Sequence, residues 1–555
     1  MRQCLLMSAA VIGLISLAPP AARADEKTSC DPYQDYSCLD GYLGTGFFER
    51  LVNYYKLEYG QASAPADPNA PSSVRENWPA SPQSTPPMPF ADWPYGGTTA
   101  LGDNRTGSID SPLMTALSNT HLGDWMAANG LQVYGWIDPG FNVSSNNQRP
   151  GGNAPIAYAY TPNTVQLDQA VLYIERTPDT VQTDHIDWGF RISGIYGENY
   201  RYTTSYGLVS GQLLKYNQVN GYDFPMLYGE VYIPQVADGL MIRVGRYISL
   251  PDIEAQLAPN NYMYTHSFTY AFDNYTNTGI QATLAITPNL MVQFGVSDGT
   301  EASLGHLSAR QTNLLPTLPA SAGFGTGPNP LYSGATFPKD PGSQPSLTAC
   351  VRYDWNDGHD DTNVCANGIN DGRWGYNNLQ WYGFTYYHKW NEQWHIATES
   401  YYMQESRVPN NQNAEANYIY QNGGTPFSPQ FVPYNAPAPV YCKNAESLKC
   451  SPVAIGAVAY LNYSPDKLNN FSFRPEYYYD PNGWRTGTGV PSFYYSMSLG
   501  WQHWLSPQIE LRPEIGYYRS LGVKAFNLGP SNTQTGSNGP QNYTVFAGGD
   551  VILHF

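Results

Sequence analysis

Ile509-Glu510-Leu511-Arg512-Pro513-Glu514-Ile515 sets ionic groups at alternate positions, with apolar residues between them. Phe471-Ser472-Phe473-Arg474-Pro475-Glu476-Tyr477 repeats the scheme, as does Ile186-Asp187-Trp188-Gly189-Phe190-Arg191-Ile192. Leu240-Met241-Ile242-Arg243-Val244 is a weaker instance. Period two is the strand period, so each segment carries one ionic wall and one greasy wall. On this reading Asp187, Arg191, Glu230, Arg243, Glu399, Arg474, Glu476, Glu510, Arg512 and Glu514 are the candidates for a water-facing wall. Acidic and basic groups opposed across a narrow space set up a transverse field that orients dipoles and sorts ions. The plainer reading is a set of salt bridges that only stiffens the wall.

Covalent chemistry has less support. HExxH and P-loop patterns are absent from the sequence. Gly295-Val296-Ser297-Asp298-Gly299 fits GxSxG, but that elbow needs a strand-to-helix turn in a parallel sheet, and a polar strand end accounts for Ser297. Asp354-Trp355-Asn356-Asp357-Gly358-His359-Asp360-Asp361 is dense in oxygen ligands, which makes Asp354, Asn356, Asp357 and Asp360 a weak calcium candidate. The spacing misses the EF-hand loop, so a solvated acidic loop is the expectation, with no metal and no cofactor. His388 and His395 flank a tight turn and read as polar residues at interface level.

The elements that would position these groups begin with the compartment. Arg2, the apolar run Leu5 to Leu17 and Ala22-Arg23-Ala24 form a secretory signal pattern, placing a leader at 1–24. Six cysteines follow it, as near neighbours: Cys30 with Cys38, Cys350 with Cys365, Cys442 with Cys450. Local disulfide pairing in an oxidising space is the simplest arrangement. The 46 Tyr, 13 Trp and 20 Phe sit in a chain of mean hydropathy −0.42, a combination that suits a barrel with interfacial aromatic belts and a polar interior. With 28 basic against 45 acidic residues, the chain is a poor match for nucleic acid.

Residues 25–130 differ from the rest. Gly46 to Tyr59 has helical spacing and predicts one short amphipathic helix. Ala64 to Pro94 is rich in Pro and Ser and reads as an extended linker. This extension is expected beneath the barrel or inside it. From 131 to 555 short alternating segments are joined by alternately tight and long links, the pattern of an all-β, antiparallel, up-and-down transmembrane barrel with long extracellular loops. Counting back from the C-terminus gives about 14 strands, within a range of roughly 12–18. That count assigns 299–377 to one long loop and 248–276 to an outer loop able to fold inward. Tyr543, Val545, Ala547, Gly549, Val551, Leu553 and Phe555 share one face, and Phe555 closes the strand as a signal for the barrel-assembly machinery would.

DWPYGGTTALG (92–102), VYGWIDPGFNVSSNN (133–147), LDQAVLYIERTPDTVQTDHIDWGF (167–190), GRYISLPDIEAQLAPNNYMYTHS (245–267) and CANGINDGRWGYNN (365–378) resemble the OmpL-like β-barrel porin-2 family of Gram-negative bacteria. The resemblance implies an outer-membrane porin fold and says little about the solute. The expected function is therefore a porin-like channel for small hydrophilic solutes or ions, with outer-membrane lipid around it and a homotrimer as one assembly option. The acidic excess points to mild cation preference. The competing expectations are a structural or adhesive barrel plugged by 25–130, and a barrel-rim hydrolase.

Overall fold

The computed structural model describes residues 39–59 and, with interruptions, 111–555; the longest interruptions are 300–316, 329–344, 422–439 and 529–538. The leader at 1–24, Cys30, Cys38 and the Pro-rich linker lie outside the described residues. The chain divides into two units. Of the one made by Met1–Gly44 and Gly60–Asn77, only a helix, α1 (Leu39–Leu43), and Gly44 are described. The other, Thr45–Tyr59 with Trp78–Phe555, carries everything that follows.

Its main body is one closed antiparallel sheet. The strands are β1 (Leu131–Ser144), β2 (Val165–Arg176), β3 (Asp187–Gly197), β4 (Gly221–Ile233), β5 (Leu240–Ile248), β6 (Thr276–Thr287), β7 (Leu290–Ser297) and β8 (Ser346–Trp355). They continue with β9 (Asp360–Ile369), β10 (Gln380–Lys389), β11 (Trp394–Gln404), β12 (Val453–Asp466), β13 (Asn469–Asp480) and β14 (Ser492–Ser506). β15 comes in two pieces, Ile509–Leu511 and Glu514–Leu521, and β16 spans Tyr543–His554. Both pieces of β15 pair with β14 and with β16, so they are one strand broken at Arg512-Pro513. Proline has no N–H to give the ladder, which accounts for the break. Pairing of β1 with β16 closes the ring at 16 strands.

The count of 16 lies within the expected 12–18 and exceeds its central figure of 14 by two. The two further strands, β8 and β9, lie inside the stretch 299–377 that alternation alone assigns to a loop. Their connection, 356–359, is tight, and so are 234–239, 288–289, 390–393, 467–468 and 507–508 on the same rim. The opposite rim carries the long links, including 249–275, 298–345 and 405–452.

Side-chain parity shows why the sheet closes around polar groups. Leu499 is 57% exposed on the outer face, whereas Arg474, one strand away, is 0% exposed on the inner face. Val244, Ile280, Phe294 and Ile515 also point outward and are more than half exposed. A soluble sandwich places its apolar rows inside; a barrel in lipid reverses this. Aromatic residues edge the outer surface at both ends. Trp188, Trp390, Trp394 and Trp501 lie toward the tight-turn rim, and Tyr382, Tyr402, Tyr479 and Tyr543 toward the long-loop rim. Two such belts mark the lipid–water boundaries.

The extension contributes more helix than expected. Alongside α2 (Phe47–Tyr59), the helix anticipated from spacing, are α3 (Pro112–Leu117) and α4 (His121–Ala128). Ser111 and Thr120 cap these two by accepting from the N–H groups of Met114 and Gly123. The buried Arg50 guanidinium joins α2 to α3 by donating from Nε to the Thr115 carbonyl at 3.1 Å. Tyr55 Oη donates to the His554 carbonyl at 3.1 Å, and Gln508 Nε2 donates to Tyr54 Oη at 3.1 Å. Both contacts lie on the tight-turn rim, so α2 rests against that end of the barrel.

Candidate functional site

The described part of the link between β5 and β6, residues 252–274, folds into the barrel and reaches the opposite wall. Its backbone carries polar groups that need partners away from bulk water, and charged wall residues supply them. Glu399 on β11 accepts the Ile253 N–H at 3.0 Å. Glu514 on β15 accepts the Thr265 N–H at 2.8 Å, and Glu476 on β13 accepts the Phe268 N–H at 2.5 Å. From the cationic side, Arg512 Nη1 donates to the carbonyls of Ala258 and Asn261, the latter at 3.0 Å. Arg485 donates to the carbonyls of Phe272 and Asp273, both at 2.7 Å. Gln169 on β2 accepts the Ala258 N–H at 3.1 Å and donates to the Gln256 carbonyl at 3.0 Å.

Within the segment Ser267 starts one helical turn, Phe268–Ala271, by accepting the Tyr270 N–H. The Ser267 N–H and hydroxyl both donate to Glu254, whose other contacts are Tyr460 Oη at 2.6 Å and Arg474 at 3.7 Å. Burial raises the Glu254 carboxyl above its ordinary range, and the Arg474 charge opposes the rise. His266 is held well below its usual value by burial. Its Nε2 lies 2.7 Å from the Ala255 carbonyl. Two other outer links join the infolded part: Ala157 bridges to His266, and the Tyr202 ring lies 6.3 Å from that of Tyr270.

All ten wall candidates named from parity are buried on the inner side of the sheet. They fall into two groups. Asp187 pairs with Arg176 at 2.9 Å, Arg191 with Glu175 at 2.7 Å, and Arg243 with Glu230 at 3.1 Å. These are near neighbours on one wall, not charges opposed across the space. Glu399, Arg474, Glu476, Arg512 and Glu514 instead anchor the infolded segment, while Glu510 accepts from Gln502 at 2.6 Å. The arrangement thus differs from a simple transverse field: much of the wall charge is used to position a chain segment.

Several partners escaped the parity list. Asp223 with Arg246 (2.8 Å), Arg352 with Asp361 (2.6 Å) and Asp550 with Arg512 (3.0 Å) form equivalent inner pairs. Asp550 had a legible signal, since it sits on the face of β16 opposite Val545 and Leu553. Asp361 had none while β9 was hidden in a loop. The Arg474 guanidinium is the hub of the second group: Nη2 donates to Tyr518 Oη at 3.1 Å and to Glu514 at 3.4 Å.

The remaining motifs find ordinary places. Cys350 and Cys365 face each other on β8 and β9 and are joined, as are Cys442 and Cys450 in the 405–452 link. Asp354, Asn356 and Asp360 lie at or beside the tight turn between β8 and β9, and Asp357 is outside the described residues. Asn289 donates to Asp354 at 2.5 Å, and Asn356 and Tyr386 donate to Asp360 at 3.1 and 2.9 Å. His388 Nδ1 is 2.6 Å from the same carboxylate. Ser297 ends β7, an antiparallel strand between β6 and β8, where no nucleophile elbow can form. Phe555 exchanges backbone hydrogen bonds with Gly135 at 2.9 and 3.0 Å, seating the chain end on β1.

A closed 16-strand sheet with a lipid-type outer face and an ionic interior defines a membrane-spanning β-barrel of the outer-membrane porin class. Residues 130–555 match the family described as "Putative beta-barrel porin-2, OmpL-like", and the chain belongs to that family. No curated protein matches it. Among solved structures it is similar to the anion-selective porin from Comamonas acidovorans, at 10% identity and a TM-score of 0.43, covering 77% of this chain and 99% of that one. The outer membrane channel DcaP of Acinetobacter baumannii gives 9%, 0.41, 77% and 97% for the same quantities.

Proposed function

We propose that this chain is a diffusion channel for small hydrophilic solutes or ions, narrowed by the segment 252–274. The observation that carries the reading is the anchoring of that segment to the far wall by Arg474, Glu476 and Glu514, inside a barrel whose outer face is apolar. A constriction built from charged side chains and fixed backbone dipoles discriminates by size and charge without a chemical step. The acidic excess of the chain favours cations over anions. Purified protein inserted in a planar bilayer should give discrete conductance steps, with a reversal potential in a salt gradient displaced toward that of the cation. A verifiably inserted protein that leaves the bilayer silent removes the reading.

One observation favours a second reading, a barrel closed by its own loops. Residues 153–160 of the first outer link and 198–205 of the second are buried along their whole length. In that case the long-loop rim is the working surface and the barrel is its support. Deleting 198–205 separates the two: conductance present only in the deletion variant supports closure, and conductance already present in the full chain supports the channel.

A further inference from the structure

Asp252 and Asp273, near the two ends of the infolded segment, meet Glu399 of β11. One carboxylate oxygen from each residue lies within 4.8 Å of the others, and all three residues are buried. Asp252 is the informative member. It is 7% exposed, and its Oδ1 has no hydrogen-bond partner. Among the described residues, the other charged groups that face the trio are Glu254, from the same segment, and Arg485, which holds the Asp273 carbonyl. Three carboxylates packed together away from water, one of them with an unpartnered oxygen, leave a place for a cation.

We infer that Asp252, Asp273 and Glu399 form a binding site for a hard divalent cation, calcium in the first instance, that clamps both ends of the infolded segment to β11. Calcium takes oxygen ligands at about 2.3–2.6 Å, so two oxygens on one ion lie no more than about 5 Å apart. The trio meets that condition. The donor set is carboxylate only, with no imidazole or thiolate, which selects calcium or magnesium over transition metals. Calcium tolerates irregular geometry, whereas magnesium demands a near-ideal octahedron. Glu399 uses Oε2 to accept from Ile253, which orients the carboxylate as ligating carboxylates require. The site lies apart from the acidic turn at 354–361, and it stands whether or not the lumen conducts.

The test uses the full chain, folded in detergent and stripped with a chelator, titrated with calcium chloride while bound ion and unfolding temperature are recorded. Wild type should take up a saturable ion that raises the unfolding temperature. Asp252→Asn and Glu399→Gln should each weaken that uptake by roughly tenfold or more and abolish the temperature rise. In chelator the order should invert, with Asp252→Asn at least as stable as wild type, because a buried carboxylate has been neutralised. Heat-modifiable migration on gels checks that each variant is folded, and Glu399→Gln carries the test if Asp252→Asn fails to fold. Wild type that binds no calcium, or variants that bind it unchanged, overturns the site; a trio held together by protons gives the first of these results.

Discussion

Arg474 on β13 donates from Nη2 to Thr265 Oγ1 at 2.9 Å and from Nη1 to the Thr265 carbonyl, fixing the middle of the infolded segment to a wall strand eight positions around the ring from β5. The same guanidinium faces Glu254 and Glu514. Arg474→Met would leave two buried carboxylates without their cation, a loss of about 3–5 kcal/mol in comparable pairs. The backbone ladder of the barrel does not depend on it, so the cost should fall on the segment. Expected are noisier and larger conductance steps, and new protease cleavage within 249–275. Unaltered steps together with an uncut segment would show that Arg474 is not the anchor.

The same residues show how far the amino-acid order can be read. Parity placed Arg474, Glu476, Glu510, Arg512 and Glu514 on one wall, because strands expose alternate faces and lipid penalises charge on the other. Parity is silent on what stands opposite that wall. Alternation predicts that the ionic side chains face water, yet several face the backbone of 252–274, a relation set by chain path and not by any local pattern. β8 and β9 were missed for a different reason. Asp360, Asp361, Asn363 and Asn367 leave β9 little apolar alternation, and the acidic turn before it resembles a solvated loop. Cys350 and Cys365 were a clue to their pairing: each is flanked by alternating residues, and a short-range bridge is what two adjacent strands permit.

The outer face can be tested at one position. Leu499 lies near the middle of β14, points outward, and is bracketed by Met497 and Trp501 on the same face. Leu499→Arg should cost about 2–4 kcal/mol and reduce the folded fraction in lipid vesicles, while Leu499→Phe should fold as wild type. Equal folding of the two variants would mean that this row does not meet hydrocarbon.

The two disulfides among the described residues should behave differently. Cys350–Cys365 closes a separation of 15 residues across strands already paired in the ladder. Loop-closure entropy sets its contribution at about 3 kcal/mol, all of it through the unfolded chain. Replacing both cysteines by serine should lower the denaturant midpoint and leave the conductance unchanged. Cys442–Cys450, eight residues apart in a long outer link, contributes less to the barrel. Its removal should shift the midpoint less than loss of Cys350–Cys365 does and change the link's accessibility to protease. Identical midpoint shifts for the two pairs would contradict this division.

Asp298 gives a pH dependence whose sign can be worked out. It lies just beyond the outer end of β7, largely buried, and burial pushes its carboxyl up to about 7, with its own backbone N–H and then Arg246 opposing the rise. In the unfolded chain the group ionises near 3.8, so between roughly pH 4 and 7 the folded state holds a proton that the unfolded state has released. Stability from this group is therefore complete below pH 4, falls as pH rises through 7, and is flat above. Asp298→Asn removes the fall: the variant should match wild type at pH 4 and exceed it at pH 8 by on the order of 1–3 kcal/mol. Ionisation also adds a negative charge near the outer entrance, so wild type should become more cation-preferring across the same interval and the variant should not. Paired urea titrations and reversal potentials at pH 4 and 8 measure both effects. A variant with the wild-type pH profile would place the ionisation of Asp298 below this range, in a wetter setting than its burial indicates.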